Sequence, residues 1–231
     1  MTFNCNIITL FPDMFPGSLG QSLSGRALKD GKWSYQTINP REFATDKHQT
    51  VDDTPYGGGA GMVLKPDILE NALLSIPQEK RGRLIYMSPR GRVLDQQLVQ
   101  DLSNTDNLTI LCGRYEGVDQ RFLDAYDIAE ISIGDYVLSG GEPAAIIMMD
   151  ACIRLLGGVM GNEDTAGDES FSNGLLEYPH YTKPAIWQDA QGKSHNVPEI
   201  LTSGNHAKVD EWRKQQSITL TQARRPDLLK K

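Results

Sequence analysis

From Asn6 to Leu156 the chain alternates between short apolar runs and longer segments in which apolar residues recur at helical spacing. Continuous apolar runs are typical of parallel strands that are buried on both faces, and the segments between them have the length of crossover helices. The predicted strands are Asn6–Leu10, Tyr35–Ile38, Leu84–Ser88, Leu108–Cys112 and Ile128–Ile133. The predicted helices are Ser18–Asp30, Pro66–Ser75, Leu94–Ser103 and Glu142–Leu156. This pattern predicts an α/β fold with a parallel sheet.

The apolar pattern stops at Gly157, where the segment GGVMGNEDTAGDESFSNG is rich in turn-forming residues. Such a composition indicates a mobile linker. Farther on, His206–Gln215 and Ser217–Arg225 are predicted to form short helices around Trp212. We therefore expect a first domain over residues 1–160, a flexible linker over 161–175 and a small all-helical domain over 176–231.

The net charge of −7 argues at first against a nucleic-acid partner, because binding to phosphates needs clustered Lys and Arg. The distribution of charge changes this view. Residues 1–175 hold 14 basic and 24 acidic residues, whereas residues 176–231 hold 9 basic and 6 acidic ones. A basic C-terminal part is compatible with RNA contact but does not establish it.

Neither a membrane nor a metal is indicated by the sequence. The start of the chain lacks the pattern of a signal peptide, and the longest apolar run, Ala144–Met149, is too short to span a bilayer, so a cytoplasmic protein is expected. The three cysteines, Cys5, Cys112 and Cys152, lie in apolar stretches and are predicted to be buried. The four histidines show no metal-ligand spacing.

Glycine-bearing segments are the strongest local signal for chemistry. The chain has no G-x-G-x-x-G, and Gly192-Lys193-Ser194 lacks the upstream glycine of a P-loop. Three other segments, YMSPRG, CGRYEGVD and SIGDYVLSGGE, follow predicted strands. Ligands of open α/β sheets bind beyond the carboxyl ends of the strands, so these loops could form one pocket that recognises a flat adenine ring through main-chain atoms. The alternative is three unrelated tight turns.

The same segments carry a family resemblance. VDDTPYGGGAGM, YMSPRGRVLDQ, LCGRYEGVDQR and EISIGDYVLSGGE closely resemble, in order and spacing, the bacterial tRNA (guanine-N1)-methyltransferase family, TrmD, of the SPOUT superfamily. EYPHYTKP, SGNHAKVDEWR and RRPDLL continue the match, so that it covers nearly the whole chain.

The resemblance implies a parallel sheet with a deep trefoil knot, whose three loops bind S-adenosyl-L-methionine, in an obligate homodimer with active sites between the subunits. Carried over by motif, the residues implied to bind the methyl donor are Tyr86, Met87, Ser88, Pro89, Gly91, Gly113, Tyr115, Glu116, Ser132, Ile133, Gly134, Asp135, Tyr136, Val137, Leu138, Gly140 and Gly141.

The implied reaction methylates the guanine immediately 3′ of the anticodon. Guanine N1 holds a proton at neutral pH, so the reaction needs a base and a group that stabilises negative charge on O6. The resemblance assigns the second role to Arg154, which by itself would be interpreted as an i,i+4 ion pair with Asp150. The family's base is an aspartate at the position that Glu169 occupies here. We place Glu169 ahead of its neighbour Asp168 as the base.

The tRNA is the implied partner. Candidate phosphate contacts are Lys183, Lys208, Arg213, Lys214, Arg224 and Arg225, and on resemblance alone Asp52, Asp53, Gly58 and Gly59 line the guanine pocket. The resemblance also brings Mg²⁺ into consideration as a requirement of the reaction, although no set of ligands in the sequence identifies a site for the ion. The alternatives are a SPOUT methyltransferase acting on another RNA, a catalytically inactive RNA-binding dimer and an adenine-nucleotide hydrolase.

Overall fold

Five parallel strands form the central sheet of the N-terminal part in the computed structural model, which describes residues 2–160, 170–171 and 174–230. The strands in chain order are β1 (Phe3–Ile8), β2 (Trp33–Ile38), β3 (Asp52–Asp53), β4 (Val63–Leu64), β5 (Arg83–Val93), β6 (Asn107–Cys112) and β7 (Ala129–Ser132). The sheet order is β2-β1-β6-β5-β7, and β3 and β4 form a separate antiparallel pair. The predicted α/β fold with a parallel sheet is therefore confirmed.

Helices cover both faces of this sheet. They are α1 (Ser22–Lys29), α2 (Pro66–Leu74), α3 (Gln78–Arg81), α4 (Gln96–Ser103), α5 (Gln120–Ala125) and α6 (Glu142–Ile153), with short 3₁₀ helices at Pro12–Met14, Gly17–Gly20 and Pro40–Phe43. Ile7 packs with α1, α4 and α6, whereas its neighbour Ile8 packs with α2 and α5. Successive strand residues point to opposite faces, so each strand contributes to two cores. The predicted burial of all three cysteines is confirmed.

The first strand begins three residues earlier than its predicted start at Asn6. The polar residues in it are accommodated by hydrogen bonds along the sheet. Asn6, which is 5% exposed, donates to the Lys80 carbonyl at 2.9 Å and accepts from Gln36 at 2.6 Å. A buried amide is tolerated when its donors and acceptor are satisfied, which apolar patterning alone does not reveal.

The fifth strand extends beyond its predicted end at Ser88 because the chain returns to the same neighbour after a short excursion. Both Met87 and Arg92 pair with Ile131 of β7, so residues 88–91 loop out of the ladder. A Cβ on Gly91 would meet the backbone of Glu130 and Ile131. Glycine is required there because the excursion packs directly on the main chain of β7.

The chain divides into two compact units, residues 1–161 and 162–231. The C-terminal unit contains strands β8 (Ile186–Gln188) and β9 (Ser194–Asn196), helices α7 (Glu199–Thr202) and α8 (His206–Arg224), and a 3₁₀ helix at Pro226–Lys230. The predicted linker, residues 161–175, lies mostly outside the described residues.

Two predictions for this unit are wrong. It is not all-helical, because β8 and β9 pair as an antiparallel hairpin. It also has one 19-residue helix, α8, where two short helices were predicted. No Gly or Pro interrupts α8. Thr221, within this helix, is fully buried and donates to the Ser217 carbonyl at 2.7 Å, so packing also favours the continuous helix. Among the helices in the described residues, none is long and apolar enough to cross a membrane.

Candidate active site

A cavity of about 280 Å³ opens beside the excursion of β5 at residues 88–91 and the carboxyl ends of β6 and β7. This volume is close to the lower end of the range of roughly 300–1,000 Å³ for small-molecule sites. Three segments form its walls, namely the excursion within β5 and the loops after β6 and β7, as expected for a ligand site in an open α/β sheet. The lining residues are Tyr86 to Pro89, Gly113 to Gly117, Ile131 to Gly134, Tyr136 to Gly141, and Ala144.

The first wall is the excursion of β5. The Tyr86 side chain precedes it and lies against Gly113 of the second wall, and burial, with a smaller contribution from the Glu130 carboxylate, raises the pKa of the Tyr86 hydroxyl. Tyr86 is therefore a neutral phenol at physiological pH. The Ser88 hydroxyl accepts a hydrogen bond from the Arg90 amide at 3.3 Å and fixes the turn that follows.

The second wall follows β6 and depends on the absence of a side chain at Gly113. A Cβ there would lie 2.7 Å from the Tyr86 ring, so only glycine lets the loop cross the ring this closely. Beyond Gly113, Tyr115 adopts a left-handed backbone conformation (φ 58°) and the Glu116 side chain is exposed at the cavity.

The third wall runs from Ser132 to Gly141. The Ser132 hydroxyl donates to the Gly134 carbonyl at 3.0 Å and closes a tight turn, and the Tyr136 hydroxyl donates to the Ile133 carbonyl at 3.2 Å. The Gly141 amide then donates to the Gly113 carbonyl at 2.9 Å, which ties the third wall to the second. A Cβ on Gly141 would lie 2.8 Å from the Cys112 Cα, so this close approach also requires glycine.

A buried ion pair fastens these walls to the sheet. Glu142, at the start of α6, is fully buried, and its Oε2 lies 2.9 Å from Arg114 Nε, in a geometry that makes an ion pair but not a hydrogen bond. Thr9 donates to Glu142 Oε1 at 2.7 Å, and Arg114 Nη1 donates to the Ser139 carbonyl at 3.2 Å. The Arg114 guanidinium also lies 4.2 Å above the Phe11 ring. We call this group of Thr9, Arg114 and Glu142 the clasp, because it joins the end of β1 to two of the three loops.

Fifteen of the residues predicted to bind the methyl donor line this one cavity, whereas Gly91 and Asp135 do not. Gly91 packs against β7, and Asp135 is exposed at the tip of the third wall. Arg114, Gly117, Ile131, Ser139 and Ala144 line the cavity and were missed. Arg114, Gly117 and Ser139 lie inside the glycine-bearing segments themselves, so a prediction of whole loops would have included them.

The antiparallel hairpin of β3 and β4 contacts the second wall of the same cavity. Asp52 and Asp53 form β3, and Gly58 and Gly59 lie in the loop that leads to β4, both with positive φ. The hairpin reaches the second wall because the Glu116 amide donates to the Met62 carbonyl at 3.0 Å, and a Cβ on Gly61 would meet the Glu116 side chain. None of the four predicted residues of the guanine pocket lines the cavity, and the hairpin approaches its second wall through Gly61 and Met62 instead.

The residues predicted to act on the guanine are not brought together with this cavity. Arg154 follows the last residue of α6 and lines a separate depression of about 210 Å³, together with Asp150 and Ser22–Ser24 of α1. Glu169 and Asp168 lie outside the described residues.

The predicted phosphate contacts all belong to the C-terminal unit. Lys183, Lys208, Lys214, Arg224 and Arg225 are exposed. Arg213 is half-buried, with its guanidinium 5.0 Å from the centre of the Tyr178 ring, and Arg225 pairs with Asp227 at 2.7 Å. Within residues 2–160, 170–171 and 174–230 no group of three or more His, Cys, Asp or Glu side chains could hold a metal ion.

The chain matches known proteins over its full length. The family model described as tRNA (guanine-1)-methyltransferase TrmD matches residues 2–231. A relative from Rhodospirillum rubrum is 56% identical over 229 residues, covering 99% of this chain and 93% of that protein.

Other relatives are similar to the same extent. One from Agrobacterium fabrum is 55% identical over 231 residues, covering 100% of this chain and 97% of that protein. One from Wolbachia pipientis is 53% identical over 232 residues, covering 99% of this chain and 98% of that protein. All three carry the name tRNA (guanine-N(1)-)-methyltransferase.

Proposed function

The chain belongs to the tRNA (guanine-1)-methyltransferase family TrmD, and we propose that it transfers a methyl group from S-adenosyl-L-methionine to N1 of the guanine immediately 3′ of the anticodon of tRNA. One observation of the structure carries the proposal. The three segments that match the family motifs, the excursion of β5 and the loops after β6 and β7, meet around a single cavity.

The cavity fits the methyl donor in its chemistry. Its walls offer backbone N–H and C=O groups from loops in which Gly113 and Gly141 permit close approach, which suits a flat adenine ring. Ile133 and Leu138 add apolar surface, and the Glu116 carboxylate is available to the donor's ammonium group. Bound S-adenosylmethionine supplies an electrophilic methyl group on its sulfonium. We call this cavity the donor cavity.

The remaining chemistry belongs to the acceptor. A carboxylate removes the N1 proton and a cation stabilises the charge that develops on O6. We assign the first role to Glu169, with Asp168 as the neighbouring alternative, and the second to Arg154. We call these three residues the acceptor groups. Glu169 is one methylene longer than the aspartate typical of the family at this position and performs the same proton transfer if the chain adjusts.

A homodimer would bring the acceptor groups to the donor cavity. Arg154 does not line the cavity of its own chain, so a second chain is the natural source of the arginine. Exposed apolar side chains support this proposal, because Leu23, which is 43% exposed, lines the same depression as Arg154. Ile147 on α6 is 49% exposed and lies two helical turns before Arg154, on the same side of the helix. A two-fold dimer would place each Arg154 beside the partner's cavity in both sites at once.

The knotted path of the chain is part of the same proposal. It is supported by family membership and by the sheet order, in which β6 lies between β1 and β5 while β7 joins the other edge of β5. The C-terminal unit is proposed to hold the tRNA through its basic residues, and the protein is proposed to work in the cytoplasm, where tRNA is modified.

Methyl transfer to defined transcripts tests the function. Wild-type protein is incubated with labelled S-adenosylmethionine and unmodified tRNA that carries guanine or adenine 3′ of the anticodon, with and without Mg²⁺. We expect incorporation only into the guanine transcript, lost in Glu169→Gln and retained in Asp168→Asn. Loss only in Asp168→Asn would move the base by one residue.

Two other outcomes would overturn the function itself. Incorporation into ribosomal RNA but not tRNA would indicate a related methyltransferase with another substrate. Binding of both donor and tRNA without any product would indicate an inactive RNA-binding dimer.

A further inference from the structure

An exposed aromatic pair on the C-terminal hairpin has no role in the reaction described above. Strands β8 and β9 pair Ile186 with Asn196, Trp187 with His195 and Gln188 with Ser194, and all six residues are exposed. Trp187 is 57% exposed and Ile186 is 63% exposed. A two-stranded hairpin with no buried face contributes little to a core, so its side chains are available to a partner.

The Trp187–His195 pair is held in a fixed orientation. The two rings stack with centroids 5.1 Å apart and an interplanar angle of 30°. His195 Nε2 lies 2.9 Å from Asp189 Oδ2, while Asp189 Oδ1 accepts from the Gln191 and Lys193 amides, each at 3.0 Å. These hydrogen bonds, the first of which is the main cause of the lowered pKa of Asp189, orient the imidazole beneath the indole.

The surroundings of this pair favour an anionic partner with flat rings. Lys193 lies in the turn of the hairpin, Lys183 lies three residues before β8, and both are exposed. Residues 176–231 carry 9 basic and 6 acidic residues. Unpaired bases of RNA stack on exposed aromatic side chains, and nearby Lys residues contact the phosphates.

We propose that the face of the β8–β9 hairpin that carries Trp187 and His195 is a stacking surface for an unpaired base of tRNA. This inference rests on the proposed function, because it takes tRNA as the substrate. Stacking requires no particular base, so the hairpin contributes to affinity and leaves the choice of guanine to the active site. Trp187 is thus a positioning residue that lowers the KM for tRNA and leaves kcat unchanged.

Substitution at Trp187 in the full-length protein tests the proposal. We expect Trp187→Ala to weaken binding of an unmodified tRNA transcript by on the order of tenfold, and Trp187→Phe to retain most of the affinity, since it keeps an aromatic face. Ile186→Ala is the matched control, because neighbouring residues of a strand point to opposite faces, and it should bind as the wild type does.

The salt dependence of binding separates stacking from charge. Trp187→Ala should lower affinity at every salt concentration without changing the slope of log affinity against log salt. Lys193→Ala, on the same hairpin, should instead reduce that slope by about one. Binding of tRNA should also shield Trp187 from acrylamide quenching, measured as the difference between wild type and Trp187→Phe.

Several results would overturn the proposal. Unchanged tRNA affinity in Trp187→Ala would remove the hairpin from tRNA binding, and so would a failure of wild-type protein to bind tRNA. If the substitution instead changes the oligomeric state in sedimentation, the hairpin faces another protein chain. If wild-type protein binds tRNA but transfers no methyl group, the proposed function fails, but the binding measurements still test whether the hairpin contacts tRNA.

Discussion

The donor cavity and the acceptor groups are built in contrasting ways. The cavity is formed within one unit of one chain by loops that are fastened by the clasp and by the hydrogen bond from Gly141 to Gly113. Arg154, in contrast, lies in a separate depression of the same unit. Under the proposed function, a single chain holds the methyl donor ready while the reaction waits for a second chain and for tRNA. Such an arrangement limits methylation to the correct substrate.

The largest effect is expected at Arg154. Arg154→Ala should reduce turnover by about 10²–10³-fold, because a cation that stabilises developing charge acts mainly in the transition state. Donor binding should be nearly unchanged, since Arg154 does not line the donor cavity. Single-turnover methyl transfer and calorimetric titration of the donor measure the two quantities. Unchanged turnover would remove Arg154 from the mechanism.

The next effect concerns the clasp. Glu142→Ala leaves the Arg114 guanidinium, whose side chain is 16% exposed, without its carboxylate, and breaking a buried pair costs about 3–5 kcal/mol. We expect lower stability in urea unfolding and weaker donor binding. Glu130→Ala is the control, because solvent reaches the Arg90–Glu130 pair, whose side chains are 62% and 24% exposed, and solvent-screened pairs contribute about 0–1 kcal/mol. Equal losses in both variants would contradict a special role for the clasp.

A smaller effect is expected at Gly141. In Gly141→Ala the new Cβ would press on the backbone of Cys112 and Gly113, and overpacking of this kind costs about 1–3 kcal/mol. Donor affinity should fall while the C-terminal unit still binds tRNA. Gly157→Ala is the matched control, since a Cβ there meets nothing within 4 Å. Normal donor affinity in Gly141→Ala would show that the two walls move independently.

The smallest effect is one of pH. Burial raises the pKa of the Cys152 thiol, on the buried side of α6, from 9.0 to about 12. A pKa that is higher in the folded state gives stability that is complete below pH 9 and is lost between pH 9 and about 12. Near neutral pH the thiol should add no pH dependence to the free energy of unfolding. The free energy of unfolding should therefore fall less steeply above pH 9 in Cys152→Ala than in the wild type. If the two proteins show the same pH dependence above pH 9, the thiol is exposed to solvent and not buried.

The sequence was most informative where local pattern and tertiary structure agree. Continuous apolar runs predicted the parallel sheet, since strands buried on both faces cannot alternate with polar residues. Glycine-bearing segments after three of those strands predicted one pocket, because the carboxyl ends of parallel strands meet at one edge. The pattern did not reveal that Gly91 packs against β7 and does not line the cavity, because a glycine needed for backbone packing looks the same in sequence as one needed beside a ligand.

The C-terminal unit shows the limit of such patterns. Strands of three exposed residues have no apolar face, so nothing in Ile186–Gln188 or Ser194–Asn196 distinguished a hairpin from a loop. The pairing depends instead on the turn, where Asp189 binds two amides and Gly192 has φ 79°. The separation of Arg154 from the cavity of its own chain could not be read from local pattern either, and only the family resemblance, which implies sites between two subunits, anticipates it.

Complementation between two differently impaired variants tests most directly whether the donor cavity of one chain works with Arg154 of another. Chains carrying Arg154→Ala and chains carrying Gly141→Ala are co-expressed, and methyl transfer to tRNA is compared with that of each variant alone, at a donor concentration that supports turnover by the wild type but not by Gly141→Ala. In a two-fold dimer with shared sites, random pairing gives one intact site in about half of the dimers, so about a quarter of wild-type activity should return. No recovery in dimers shown to be mixed would contradict the account and place Arg154 and the cavity of one chain in the same site.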